Sequence, residues 1–212
     1  MVEPDAELLA ALGPRAKRQI RQRMRSLRSA LPPASAAARS EAIVARLMGL
    51  PEFAAARGIG LFWPMQSKNE VDLRPLDAAA RERGIKVYYP FLAAVGNTVR
   101  TGFRRVDDVG SLEPRGSGFA EPGPECPEAR RGDIDWIVVP ALAVDASGYR
   151  IGYGKGFYDA TLPDFVPPAR AAAVAFGFQL VGEVPREAHD VGCDVVVTDE
   201  AVLEIPVLVK EG

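Results

Sequence analysis

Between positions 150 and 159 the chain reads Arg150-Ile151-Gly152-Tyr153-Gly154-Lys155-Gly156-Phe157-Tyr158-Asp159. Glycine on alternate residues leaves the backbone uncovered, so this segment can turn sharply and direct several N–H groups at one anion. Arg150 and Lys155 add cationic charge on its two sides. A helix starting near Tyr158 would contribute further donors and a favourable dipole. The pattern is neither G-x-x-x-x-G-K-[ST] nor G-x-G-x-x-G, so those two phosphate-binding fingerprints do not apply. A plain glycine-rich turn would read the same way. Asp159 stands at the rim, where a carboxylate could hold Mg²⁺ together with phosphate oxygens. It would serve equally as a first-turn residue favoured by the helix dipole.

Three other segments carry chemistry. From Leu8 to Ser40 there is no acidic residue, while Arg15, Lys17, Arg18, Arg21, Arg23, Arg25, Arg28 and Arg39 fall inside that window. Ile20, Met24, Leu27 and Leu31 form one apolar stripe of a helix, and Lys17 and Arg21, four apart, share a face beside it. That face reads as a solvated surface, a nucleic-acid arm, or a clamp for a small phosphate ligand. Phe62, Trp63 and Met65 precede Glu70 at the carboxyl end of an expected strand. They could wall a flat ring whose amino groups bond to Glu70, or belong to the core and a helix start. The single histidine, His189, has no Ser or Cys motif around it, and the adjacent Asp190 could be a second carboxylate for a cation.

The elements that must position these groups alternate. Helices are expected from Pro14 to the Pro32-Pro33 stop, over Ser35 to Met48, over Asp72 to Arg83 before Gly84, and from about Tyr158. Strands are expected at Gly58 to Trp63, Ile85 to Phe91, Thr98 to Val106, Trp136 to Val139, Arg170 to Phe176 and Asp194 to Thr198. Gly110 to Arg131 reads as a long surface loop without periodicity. Strands separated by helices imply an α/β layer fold with a largely parallel sheet.

The 212 residues carry 26 Lys plus Arg against 28 Asp plus Glu, a formal net charge of −2. That balance excludes a generally basic nucleic-acid binder and an acidic disordered chain. Cys126 and Cys193 cannot build a disulfide framework; Cys193 reads as a small core residue. No apolar run approaches the roughly 18 residues of a membrane span, and Met1 to Leu12 lacks a cationic leader. A soluble cytoplasmic protein is expected.

The chain resembles the 5-formyltetrahydrofolate cyclo-ligase (5,10-methenyltetrahydrofolate synthetase) family. The resemblance is carried by Lys17-x-x-x-Arg21, Trp63-Pro64 with Glu70-Val71-Asp72, and Val139-Pro140 leading into Asp145-x-x-Gly148-x-Arg150-x-Gly152-Tyr153-Gly154-Lys155-Gly156-Phe157-Tyr158-Asp159. Pro185-x-x-x-His189-Asp190, with Asp194 and Thr198 following, completes it. Phe157 stands where the family often has Tyr. The resemblance implies a single-domain, three-layer Rossmann-like sheet with helices on both faces, spanning 14–212 after an N-terminal extension of 1–13. It implies an ATP- and Mg²⁺-dependent enzyme, monomeric or weakly dimeric, with no nucleic-acid or membrane partner. By the same resemblance Lys17, Arg21 and Arg150 to Tyr158 bind ATP, with Lys155 and Arg150 catalytic. Phe62, Trp63, Met65 and Glu70 bind the folate, and Asp159 and Asp190 hold Mg²⁺. A nucleotide-binding module, a sugar-phosphate or CoA-handling enzyme, and an RNA binder led by the basic helix are the alternatives. The direction in which that helix faces separates them.

Overall fold

The structure, a computed structural model, describes residues 6–96, 98–115 and 118–206. In chain order its elements are α1 (Ala6–Ser29), α2 (Pro33–Gly49), α3 (Pro51–Ala55), β1 (Gly58–Gly60), α4 (Arg74–Glu82), β2 (Lys86–Val95), β3 (Thr98–Arg105), β4 (Glu113–Pro114), β5 (Ala120–Glu121), β6 (Trp136–Pro140), β7 (Ala143–Asp145), β8 (Arg150–Ile151), α5 (Phe157–Phe165), β9 (Arg170–Val174), β10 (Leu180–Val181), β11 (Val195–Val197) and β12 (Val202–Glu204).

The main sheet runs β12-β11-β9-β6-β1-β2-β3. Its inner pairs are parallel, and β3 and β12 close the two edges antiparallel. The inner strands are continuously apolar because both faces are covered. Successive side chains alternate between the faces. Val138, Val174 and Val197 pack with Ile43 and Leu47 of α2 and Leu76 of α4. Val139, Ala173 and Val196 pack with Leu162 and Phe165 of α5. The result is a three-layer α/β fold with helices on both faces, as expected. Among the described residues no helix is long and apolar enough to cross a membrane.

A smaller sheet, β10-β7-β8, sits beside this frame and carries the glycine loop. Ala143 and Ile151 from it, with the adjoining Leu142, pack against Met24 of α1. Met24, with Ile20 packed beside it, therefore fixes that helix over the loop; Leu31 packs on the main core instead, and Leu27, expected in the same stripe, is 44% exposed.

Several boundaries differ from expectation. α1 begins at Ala6 rather than Pro14, and Pro14 lies inside it. Ala10, Ala11 and Leu12 are strong helix formers, and one internal proline removes only one backbone bond there. The expected extension thus runs into α1 from residue 6; residues 1–5 lie outside the described ones. β1 ends at Gly60: Leu61 still donates to Tyr88 O at 2.9 Å, but Pro64 has no N–H to continue the ladder. The long loop is not structureless. It contains the β4–β5 pair, and buried Glu121 accepts the Leu92 N–H at 2.6 Å. α3, β7, β8, β10 and β12 are too short to show a period in sequence.

Candidate active site

The glycine loop leaves β8 and enters α5. Gly156 is the N-cap of α5 at φ 64°, and Gly154 stands at φ 93°. Both lie in the left-handed region that side chains resist, which is why glycine is needed there. Arg21 reaches across from α1. Its Nε donates to Gly152 O at 3.0 Å, and its guanidinium carbon lies 3.5 Å from where a Cβ on Gly154 would be. The basic helix therefore faces the glycine loop.

Lys17, one turn earlier, is 5% exposed. Its ammonium donates to Glu187 at 2.5 Å and to Asp190 at 2.7 Å. Burial opposes that charge, but the hydrogen bonds and charges of Asp190 and Glu187 outweigh it and hold Lys17 above the ordinary lysine pKa. His189 Nε2 stands 4.0 Å from both carboxylates, and Glu187, His189 and Asp190 offer ligand atoms within 4.8 Å of one another.

Arg150 is buried beneath the loop. It donates to Asp159 at 2.9 Å and also to Val191 O, while the Val191 N–H reaches Asp159 Oδ1 at 3.3 Å. One guanidinium thus joins β8, α5 and the segment after Asp190. Cys193 lies beside it at 3.8 Å and is buried in the core, as expected.

The opposite wall comes from the residues after β1. Trp63 packs edge-on against Tyr89 at 6.1 Å. Glu70 is 7% exposed and accepts the Met65 N–H at 2.7 Å. The Tyr153 hydroxyl donates to Glu70 and accepts from Arg28. Burial pushes Glu70 above the usual carboxylate range, and the Met65 amide, Tyr153, Arg28 and Lys68 only partly offset it. Burial and the neighbouring Glu70 likewise push the Tyr153 phenol up.

These walls enclose a cavity of about 630 Å³. Every residue that the resemblance assigns to ATP, folate or Mg²⁺ lines it: Lys17, Arg21, Phe62, Trp63, Met65, Glu70, the run from Arg150 to Asp159, and Asp190. The cavity also includes Arg25, Lys68, Phe119, Glu187 and His189, to which no role was assigned. Lys68 sits in a segment already marked by Glu70, and Glu187 in the one marked by Asp190. Phe119 had no signal; it meets Phe157 edge-on at 6.4 Å from the non-periodic loop.

The 5-formyltetrahydrofolate cyclo-ligase family model matches residues 14–199. A 5-formyltetrahydrofolate cyclo-ligase of Mycolicibacterium smegmatis is 34% identical over 192 residues, covering 88% of this chain and 95% of that protein. One from Escherichia coli K12 is 29% identical over 188 residues, covering 85% and 99%. The solved structure of Aquifex aeolicus 5,10-methenyltetrahydrofolate synthetase matches with a TM-score of 0.75 at 30% identity, covering 92% of this chain and 99% of that one.

Proposed function

The chain belongs to the 5-formyltetrahydrofolate cyclo-ligase family, and from that premise we propose that it converts 5-formyltetrahydrofolate and ATP to 5,10-methenyltetrahydrofolate, ADP and phosphate. The supporting observation is the cavity itself. A cationic, glycine-rich wall suited to a triphosphate faces an apolar wall with a buried carboxylate suited to an aminopterin ring.

A formamide oxygen is a poor leaving group. Its attack on the γ-phosphorus releases ADP and leaves a phosphorylated imidate. Nitrogen-10 then attacks the formyl carbon and loses its proton, the five-membered ring closes, and phosphate leaves with the former formyl oxygen. Such chemistry asks the protein for positioning and charge neutralisation, with no covalent nucleophile. Lys155 at the cavity surface, with Arg21 and Lys17, neutralises the phosphates, and the loop amides from Ile151 to Tyr158 cradle them. Arg150, committed to Asp159 and Val191 O, works by fixing those groups. Glu70 accepts from the pterin amino edge, and Phe62, Trp63 and Met65 stack against the ring.

Asp159 and Asp190 fit Mg²⁺, a hard cation that takes carboxylate and phosphate oxygens, and it would shield the charge on the transferring phosphoryl group. Both carboxylates already accept from a cation, Arg150 and Lys17 respectively, so each is charge-compensated before any metal binds. We place the catalytic unit at 14–212, with 1–13 as an extension, in a cytoplasmic monomer or weak dimer. The test is the rise in methenyl-folate absorbance when the chain meets 5-formyltetrahydrofolate, ATP and Mg²⁺. The signal should vanish when ATP is omitted; folded protein that gives none with all three present refutes the reading.

A further inference from the structure

The charges around Tyr153 do not cancel. Arg25 and Arg28 of α1 each stand 5.5 Å from the centre of its ring, and Lys68 stands 4.8 Å away. Among the described residues no carboxylate comes within 4.0 Å of any of these three cations, and Glu70, which acts on Arg28 and Lys68, carries at most a single charge. Elsewhere on the same helix Lys17 is paired with two carboxylates.

Arg28 is 4% exposed. One of its terminal nitrogens donates to the Tyr153 hydroxyl, but its Nε is buried with no acceptor among the described residues. A buried charged donor without an acceptor is costly and calls for an explanation. The cations are also held in place. Asn69 donates to Arg28 O at 2.9 Å and to Leu31 O at 3.1 Å, tying the end of α1 to the turn that bears Lys68. Arg25 donates to Tyr153 O at 3.3 Å.

Beside these groups lies a second cavity of about 310 Å³, lined by Arg25, Arg28, Ser29, Ser67, Lys68 and Tyr153. Its lining holds three cations and three hydroxyls and no acid. Arg25, Lys68 and Tyr153 also line the main cavity, so the two cavities adjoin at these three residues.

We propose that this second cavity is an oxyanion site, in which a phosphate or carboxylate group is held by Arg28, Arg25 and Lys68. The anion offsets the surplus positive charge of Arg25, Arg28 and Lys68, which line the cavity. It also steadies Tyr153, whose hydroxyl bonds to Glu70 in the main cavity. Two sources carry this chemistry: free inorganic phosphate and the carboxylates of the folate's glutamyl tail. The second rests on the function proposed above; the first does not.

Inorganic phosphate titrated calorimetrically into the chain, with the main cavity filled by a non-hydrolysable ATP analogue and Mg²⁺, reads the site directly. The wild type should show one saturable site. That site should weaken at least about tenfold in Arg28→Met, the loss expected for one charge-assisted contact. It should weaken similarly in the double variant Arg25→Gln, Lys68→Gln, whose two positions are exposed and which decides the matter if Arg28→Met does not fold. No saturable phosphate binding by the wild type, or equal binding by the folded variants, overturns the proposal. A second arm compares monoglutamyl and triglutamyl 5-formyltetrahydrofolate at saturating ATP. Phosphate that raises KM for the triglutamyl substrate alone assigns the site to the tail. Phosphate that binds without moving either KM assigns it to the free anion. A wild type with no ATP-dependent turnover defeats the proposed function, while the phosphate titration, repeated without nucleotide and read by its loss in the variants, still decides the pocket.

Discussion

Lys17 and Lys155 bring the same charge to the cavity in opposite settings. Lys17 is buried between two carboxylates, whereas Lys155 lies exposed on the loop. Lys155→Ala should therefore lower kcat/KM for ATP about 10- to 100-fold with Tm within about 2 °C of wild type, checked by steady-state kinetics and thermal melting. Asp159→Asn is a less clean probe: it leaves the Arg150 guanidinium, 4% exposed, without its carboxylate, so stability should fall along with turnover. Glu70 gives a pH prediction. As pH falls through its raised pKa, the neutral acid stops accepting from the pterin, so folate KM should rise while ATP KM stays level. Glu70→Gln should raise folate KM about tenfold and flatten that dependence. The stability sign is the opposite one. Because the folded pKa lies above the unfolded value, stability from the neutral form is present at low pH and is lost as pH rises through the folded pKa. Most of these groups were legible in the sequence because charge and glycine spacing are local features. Arg28 was not. One more arginine in a basic run reads as solvated, and its burial against Tyr153 comes from tertiary packing.

At the scale of elements, glycines that look alike in sequence separate by what surrounds them. Gly148 stands at φ 81°, and a Cβ there would come 2.3 Å from Cys193 O. Gly148→Ala should destabilise the chain by about 2 kcal/mol or more in denaturant titration. Gly152 has no atom within 4 Å of its Cβ position and no positive φ, so Gly152→Ala should move stability by less than about 0.5 kcal/mol. The β2–β3 edge offers a second check. Glu128 is held near a pKa of about 2 by Arg100 and Arg104, which bond to it at 2.5 to 2.9 Å. The stability lost in Glu128→Gln should be present above about pH 4.5 and vanish as pH falls toward 2. Its size should stay under about 1 kcal/mol, because Glu128 and Arg100 are exposed and screened. A long element such as α2 shows its period plainly, and β6 stands out as an unbroken apolar run. β7, β8 and β10 do not, and yet it is their small sheet that presents the glycine loop to α1.

For the whole molecule, the near-zero net charge proved to be an average over local imbalance. The basic helix, the glycine loop and the 185–190 segment are distant in sequence, and the fold brings them to one cavity through Met24, Arg21 and Lys17. The three-layer frame was legible from alternation of strands and helices; the convergence of the two walls required tertiary packing. The most direct measurement of what that convergence does is isotopic. With ¹⁸O in the formyl oxygen of 5-formyltetrahydrofolate, mass analysis of the phosphate released by the chain with ATP and Mg²⁺ should find one ¹⁸O per phosphate, matched one to one by methenyl-folate formed. Unlabelled phosphate, or methenyl-folate formed without ATP, would contradict phosphoryl transfer to the formyl oxygen at this site.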